Sequence, residues 1–214
     1  MKLPLIGASV FGALALSMTL AAHATTLYNN LSASPFGADS VYGDVIVFDS
    51  FSTGSSPVLL DSVTLELLLD PGNGNSGDGG IVTVTLDSDN STSPGSALET
   101  IGTIGDSALT FSPADYTLTT DFALSADTRY WIELTSPGGA SSADWSWNFG
   151  TSGPGVAGEY YGNESGVHQN TGGPYLMDVE ATVTPEPSSL LLLGSGLMML
   201  AAPLRRRLCA GWRG

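Results

Sequence analysis

The chain has 214 residues, 21 of them acidic and six basic, and a formal charge of −15 at pH 7. Every acidic residue lies between Thr25 and Pro187, where Arg129 is the only basic one, so this stretch sets one positive against 21 negative charges, a balance of −20. Such a surface repels phosphate backbones and anionic lipid, which excludes nucleic acid as a partner, while it suits divalent cations and solubility outside a cell.

The first element in chain order has the form of an export leader. Met1-Lys2 supplies a positive start, Leu3 to Ala22 is an apolar run, and Ala22-His23-Ala24 has the small-x-small form that signal peptidase accepts. Gly7, Ala8, Gly12, Ala13 and Ala15 keep the run only mildly apolar, and Thr25-Thr26 turns polar at once, which argues against a membrane anchor. Residues 1–24 therefore read as a signal peptide, with Ala22 and Ala24 defining a cut before Thr25.

From Thr26 to Val183 the pattern is strand after strand. Val63, Leu65, Leu67 and Leu69 fall on one face of a run from Val58, with Thr64, Glu66 and Leu68 on the other. Ile81 to Leu86 and Tyr130 to Leu134 alternate in the same way, and Val41 to Phe51 does so in part. Tyr116 to Phe122, Trp145 to Phe149 and Tyr175 to Val183 are further candidates. Alternation over such short runs marks half-buried antiparallel strands. Turn residues recur about every eight to fifteen positions, and no helical period with caps occurs before Ser188. The fold class predicted for residues 25–183 is all-β, an antiparallel β-sandwich or jelly roll. The only cysteine, Cys209, lies outside it, so this domain has no disulfide, thiol nucleophile or cysteine metal site.

Chemistry-bearing groups are few. His168, the only histidine left once the leader is removed, lies in a Gly- and Asn-rich stretch that reads as a solvated loop. No G-x-S-x-G elbow follows a strand. Paired carboxylates could hydrolyse glycosidic bonds, but their separation in space is not written in sequence. The domain is expected to be non-enzymatic and to need no cofactor. Calcium is the one metal the composition suggests: Asp70, Asn73, Asn75 and Asp78 offer oxygen ligands spaced by glycines, and Asp87-Ser88-Asp89-Asn90 is a second acidic stretch. Neither fits an EF-hand loop, and a Gly/Asn turn between strands explains the first equally. Trp145, Trp147 and Phe149 share one alternating face, with Tyr160 and Tyr161 close in sequence. Such rings either stack on sugars or line the sandwich interior.

The chain then reads Thr184-Pro185-Glu186-Pro187, an apolar segment from Ser188 to Leu204, and Arg205-Arg206-Arg207. The prolines hold the spacer extended. The apolar segment is about 17 residues, the lower limit for a membrane-spanning helix, and the arginines should stay cytoplasmic.

This order of Pro-Glu-Pro, apolar helix (188–204) and Arg-rich end (205–207) resembles the PEP-CTERM sorting signal of exported proteins in Gram-negative bacteria. The resemblance covers residues 184–214. It implies an exosortase-type processing enzyme as partner, an inner-membrane intermediate cut near Pro-Glu-Pro, and final residence at the cell surface or in an extracellular polysaccharide matrix. The middle domain resembles the bacterial choice-of-anchor R module in Phe51-Ser52-Thr53-Gly54, Leu60 to Leu65, Val84 to Gly95 and Leu124 to Ile132. That likeness implies a sandwich and export, with no attached activity. The role expected is structural or adhesive; a carbohydrate-binding module and a carboxylate-based glycan hydrolase are the alternatives.

Overall fold

Strand β4 (Val58–Leu69) sets the frame. Val58, Leu60, Val63, Leu65, Leu67 and Leu69 are all buried, and the step from Leu60 to Val63 spans three residues where alternation would give two. The extra residue is absorbed at Asp61–Ser62, where the register against both neighbouring strands shifts, as a β-bulge requires. The bulge lets one 12-residue strand keep its apolar side chains on a single face. Each fully buried Leu or Val contributes about 1.5–3 kcal/mol, and in a domain without disulfides this is the main source of stability.

The computed structural model of the protein describes residues 23–43, 45–70, 79–138 and 141–183. The predicted leader through Ala22, the calcium candidates Asn73, Asn75 and Asp78, and the predicted sorting tail with Pro185, Glu186, Pro187, the 188–204 segment and Arg205, Arg206 and Arg207 lie outside these residues. Ala24, the last residue before the predicted cut, opens the first strand.

The other strands are β1 (Ala24–Asn29), β2 (Gly37–Val41), β3 (Val47–Ser52), β5 (Ile81–Asp89), β6 (Pro94–Gly105), β7 (Ala114–Leu124), β8 (Arg129–Thr135), β9 (Ala143–Trp147), β10 (Tyr160–Asn163), β11 (Gly166–Gln169) and β12 (Met177–Val183). All pairings are antiparallel. The first sheet runs β1-β12-β4-β9-β2, with β7 on the other side of β4; the second runs β11-β10-β3-β8-β5-β6. The domain is thus all-β, two antiparallel sheets stacked on a shared apolar core. Among the described residues one 3-10 turn, Asp106–Ala108, interrupts the strands. No helix among the described residues is long and apolar enough to cross a membrane.

The core takes Leu65, Leu67, Trp145, Met177 and Val179 from the first sheet and Phe51, Val84, Leu86, Ile132 and Leu134 from the second. Strand β8 shows both faces of the second sheet. Tyr130, Ile132 and Leu134 enter the core, while Trp131 and Glu133 point the other way. Trp131 is nevertheless buried, with Phe48 edge-on at 5.5 Å and its Nε1 donating to Asp89 Oδ1 at 2.9 Å.

Several segments differ from the sequence expectation. Val41 to Phe51 is two strands joined by a turn in which Val45 N donates to Tyr42 O. The strand predicted over Trp145 to Phe149 ends at Trp147, leaving Phe149 outside the ladder. His168 sits in strand β11 and not in a loop, because β11 closes a hairpin on β10.

A candidate ligand-binding edge built of aromatic rings

Strand β9 carries its aromatic residues on one face. Trp145, in mid-strand, is fully buried, stacked on Tyr175 at 4.6 Å, with its Nε1 donating to Leu176 O at 3.0 Å. It belongs to the core, so its candidacy for sugar stacking falls. Trp147 ends the strand at the sheet edge. Phe36, just before β2, lies 5.4 Å from the Trp147 ring, and Phe149 lies 5.1 Å from Trp147 and 4.3 Å from Phe36. Phe36 is 67% exposed and Phe149 55%. Three rings thus meet at one edge, and two of them face water.

Local backbone contacts hold the rings. Phe36 N donates to Trp147 O at 2.9 Å. Gly37 pairs with Trp147, and a Cβ there would sit 2.6 Å from the indole, so only glycine lets the ring lie against β2. Asn148 donates through Nδ2 to Ser34 O and accepts from Gly150 N, tying the two loops that carry Phe36 and Phe149.

Behind the rings lies a polar network that bridges the sheets. Asp39 of β2 accepts from Tyr175 OH at 2.6 Å and from Asn163 Nδ2 of β10 at 3.3 Å, both at Oδ2. Asp49, wholly buried on β3, accepts from Tyr175 N at 2.9 Å, Asn170 Nδ2 at 3.2 Å and Tyr28 OH at 3.5 Å. Burial pushes the Asp49 carboxyl well above the usual carboxylate range. Burial, and then the nearby Asp49, push the Tyr28 hydroxyl up as well. Asn30 donates to Tyr175 O and accepts from Met177 N, each at 2.8 Å. The 170–177 segment is therefore fastened by Asn30, Asp39 and Asp49, which enter from three different places in the chain. Asp39 and Asp49 did not stand out in the sequence, because a carboxylate within a strand reads as a member of its solvent face.

The two tyrosines predicted for the site are separated by strand alternation. Tyr161 turns toward the interior, 6.0 Å from Tyr175 and 5.6 Å from His168, and donates to Gly172 O. Tyr160 turns outward, and its ring is covered by the Arg129 guanidinium at 4.8 Å. Arg129 also pairs with Glu159 at 2.9 Å and donates to Ser91 O and Gly158 O. The domain's one arginine is engaged within the fold.

Paired acids do occur, on the outer face of the second sheet. Asp87 lies opposite Trp131 and Thr85 opposite Glu133, so Asp87 and Glu133 are diagonal neighbours on adjacent strands. Burial, then the charge of Asp87, raise Glu133 to about 7. Asp87 is 3% exposed, and its Oδ1 has no hydrogen-bond partner in the protein. An open depression of ≈ 630 Å³ lined by Val45, Ile46 and Thr135–Gly138 holds neither acid. Of the calcium candidates, Asp70 is described and its backbone N donates to Ser142 O. In the second acidic stretch Asp89 accepts from Trp131. Among the described residues no three His, Cys, Asp or Glu side chains gather as a metal site. No protein-family model matches the chain, and no curated protein matches it significantly.

Proposed function

We propose that this is an exported, non-enzymatic protein of the cell surface or extracellular matrix that adheres to polysaccharide through the Phe36–Trp147–Phe149 edge. The observation that carries the reading is the pair of exposed rings set beside hydrogen-bonding side chains, since sugar rings stack on aromatic faces while their hydroxyls pair at the flanks. Export is supported by the leader pattern before Thr25. Sorting through a PEP-CTERM route, with an exosortase-type enzyme acting on an inner-membrane intermediate, is supported by Pro185-Glu186-Pro187, the apolar 188–204 segment and Arg205 to Arg207. Strand β12 ends at Val183, two residues before Pro185, so that motif follows directly on the folded domain.

Retardation of the protein in gels containing neutral and amino polysaccharides tests the adhesive reading. Wild type should be retarded and the Phe36→Ala/Phe149→Ala variant should not; equal mobility in every gel would end it. For sorting, replacing Pro185, Glu186 and Pro187 by alanine should leave an uncut precursor in the inner membrane, and normal maturation would show the tail to be a plain anchor. The Asp87–Glu133 pair favours a second reading, glycan hydrolysis. Release of reducing ends that disappears with Glu133→Gln would establish it.

A further inference from the structure

The structure points to the chemical class of polysaccharide: we propose, on the glycan-adhesion reading above, that the ring edge selects a polymer bearing free amino groups and that Asp39 receives the ammonium. Asp39 lies on the same face of β2 as Gly37, against which the Trp147 indole rests, and two residues along a strand is about 7 Å. Neutral donors, Tyr175 OH and Asn163 Nδ2, hold the carboxylate in place. No cation of the protein pairs with it: the one ion pair among the described residues is Arg129–Glu159. A carboxylate fixed by neutral partners and half-buried at an edge is ready for a charge-assisted hydrogen bond from outside, and such bonds are shorter and stronger than those from hydroxyls.

The neighbouring rings work in the same direction. An ammonium over an aromatic face is attracted by the ring quadrupole, and the three rings, tilted 39° to 73° to one another, present faces in several directions. The rest of the domain excludes the opposite class. With 21 acidic residues between Thr25 and Pro187 and Arg129 spent internally, polymers of uronic acids or sulfated sugars meet repulsion and find no free cation among the described residues. Uncharged sugars can stack on the rings but leave the Asp39 charge without a counter-ion.

Titration calorimetry on the full-length protein in mild detergent tests this, with hexamers of β-1,4-linked glucosamine, their N-acetylated counterparts and a hexuronate as probes in mildly acidic buffer. The glucosamine hexamer should bind about tenfold more tightly than the acetylated one. Asp39→Asn should bring the two hexamers to equal affinity, and Phe149→Ala, at a ring more than half exposed, should weaken both. Equal affinity of the two hexamers, or tighter binding of the hexuronate, overturns the amino-sugar inference and leaves the adhesive reading standing. Retention of the preference in Asp39→Asn shows diffuse attraction to an acidic surface and overturns the assignment to Asp39. Binding of no hexamer, together with a dimer in sedimentation that Phe149→Ala dissociates, makes the edge a self-association surface and overturns both readings.

Discussion

Trp145 and Trp147 stand two residues apart on one face of β9, yet one is sealed in the core and the other is only partly buried, beside the exposed rings of Phe36 and Phe149. Over Trp145 lies the 170–177 segment, which supplies the Tyr175 ring and the Leu176 carbonyl and is itself held by Asn30, Asp39 and Asp49. Beyond Trp147 the strand has ended, and its indole lies between Gly37 of β2 and the rings of Phe36 and Phe149. Position along the strand, and not the identity of the residue, separates a structural tryptophan from one free to meet a ligand.

The interior half of this contrast should be the costly half to break. Asp49→Ala leaves the Tyr28 hydroxyl, the Asn170 amide and the Tyr175 N–H without their buried acceptor, and a loss of about 3–5 kcal/mol is expected in denaturant unfolding. Trp145→Ala should cost a similar amount, about 3–5 kcal/mol, through the cavity it opens, whereas Trp147→Ala should cost about 1–2 kcal/mol. Equal losses for the two tryptophans would erase the distinction between core and edge.

Gly37→Ala tests the junction between the halves. The added methyl group meets the Trp147 indole at 2.6 Å, and a loss of about 1–3 kcal/mol with displacement of the ring is expected. Tryptophan fluorescence and polysaccharide retardation should change together. An unchanged emission spectrum would show that the indole does not rest on β2.

The pH dependence of stability has a definite sign. Burial raises Asp49, Asp87 and Glu133 in the folded protein, Glu133 from 4.5 to about 7. A folded value above the unfolded one favours folding while the group is protonated. The Glu133 contribution is therefore complete below about pH 4.5 and is lost as pH rises through about 7. Melting temperature should fall between pH 5 and 8, and Glu133→Gln should flatten the decline by about 1 kcal/mol, the partly exposed carboxyl being screened by solvent. A melting temperature that climbs over this range would reverse the assignment.

The smallest effect on stability belongs to the exposed rings. Phe36→Ala and Phe149→Ala should each change unfolding free energy by no more than about 0.5 kcal/mol, since neither ring is in the core. Their signature is loss of polysaccharide retardation at unchanged stability. A large destabilisation from either would move these rings from the proposed ligand-binding edge to the structural half.

Period-two alternation made much of the sandwich legible in advance. Val63, Leu65, Leu67 and Leu69 do share the buried face of β4, and Tyr130, Ile132 and Leu134 that of β8. Strand β6 was not legible, because residues 95–100 are exposed on an edge and no buried face imposes alternation on them. The bulge at Asp61 hid Val58 and Leu60 from the same pattern. Of the candidate site, Trp147 and Phe149 were visible as aromatic positions, but Phe36 and Asp39 lie more than a hundred residues earlier.

By itself the sequence determined the all-β class, the acidic character of the domain and the absence of any disulfide in it, since these follow from local alternation and from composition. Only the tertiary structure decided which aromatic side chains meet water, that Asp49 is sealed in the core, and that Arg129 is consumed by Glu159 and two carbonyls. The physical reason is that alternation assigns a residue to a face of its own sheet. What covers that face comes from distant segments, and their closeness is set by the strand order β1-β12-β4-β9-β2 and by the loop that folds back over β9.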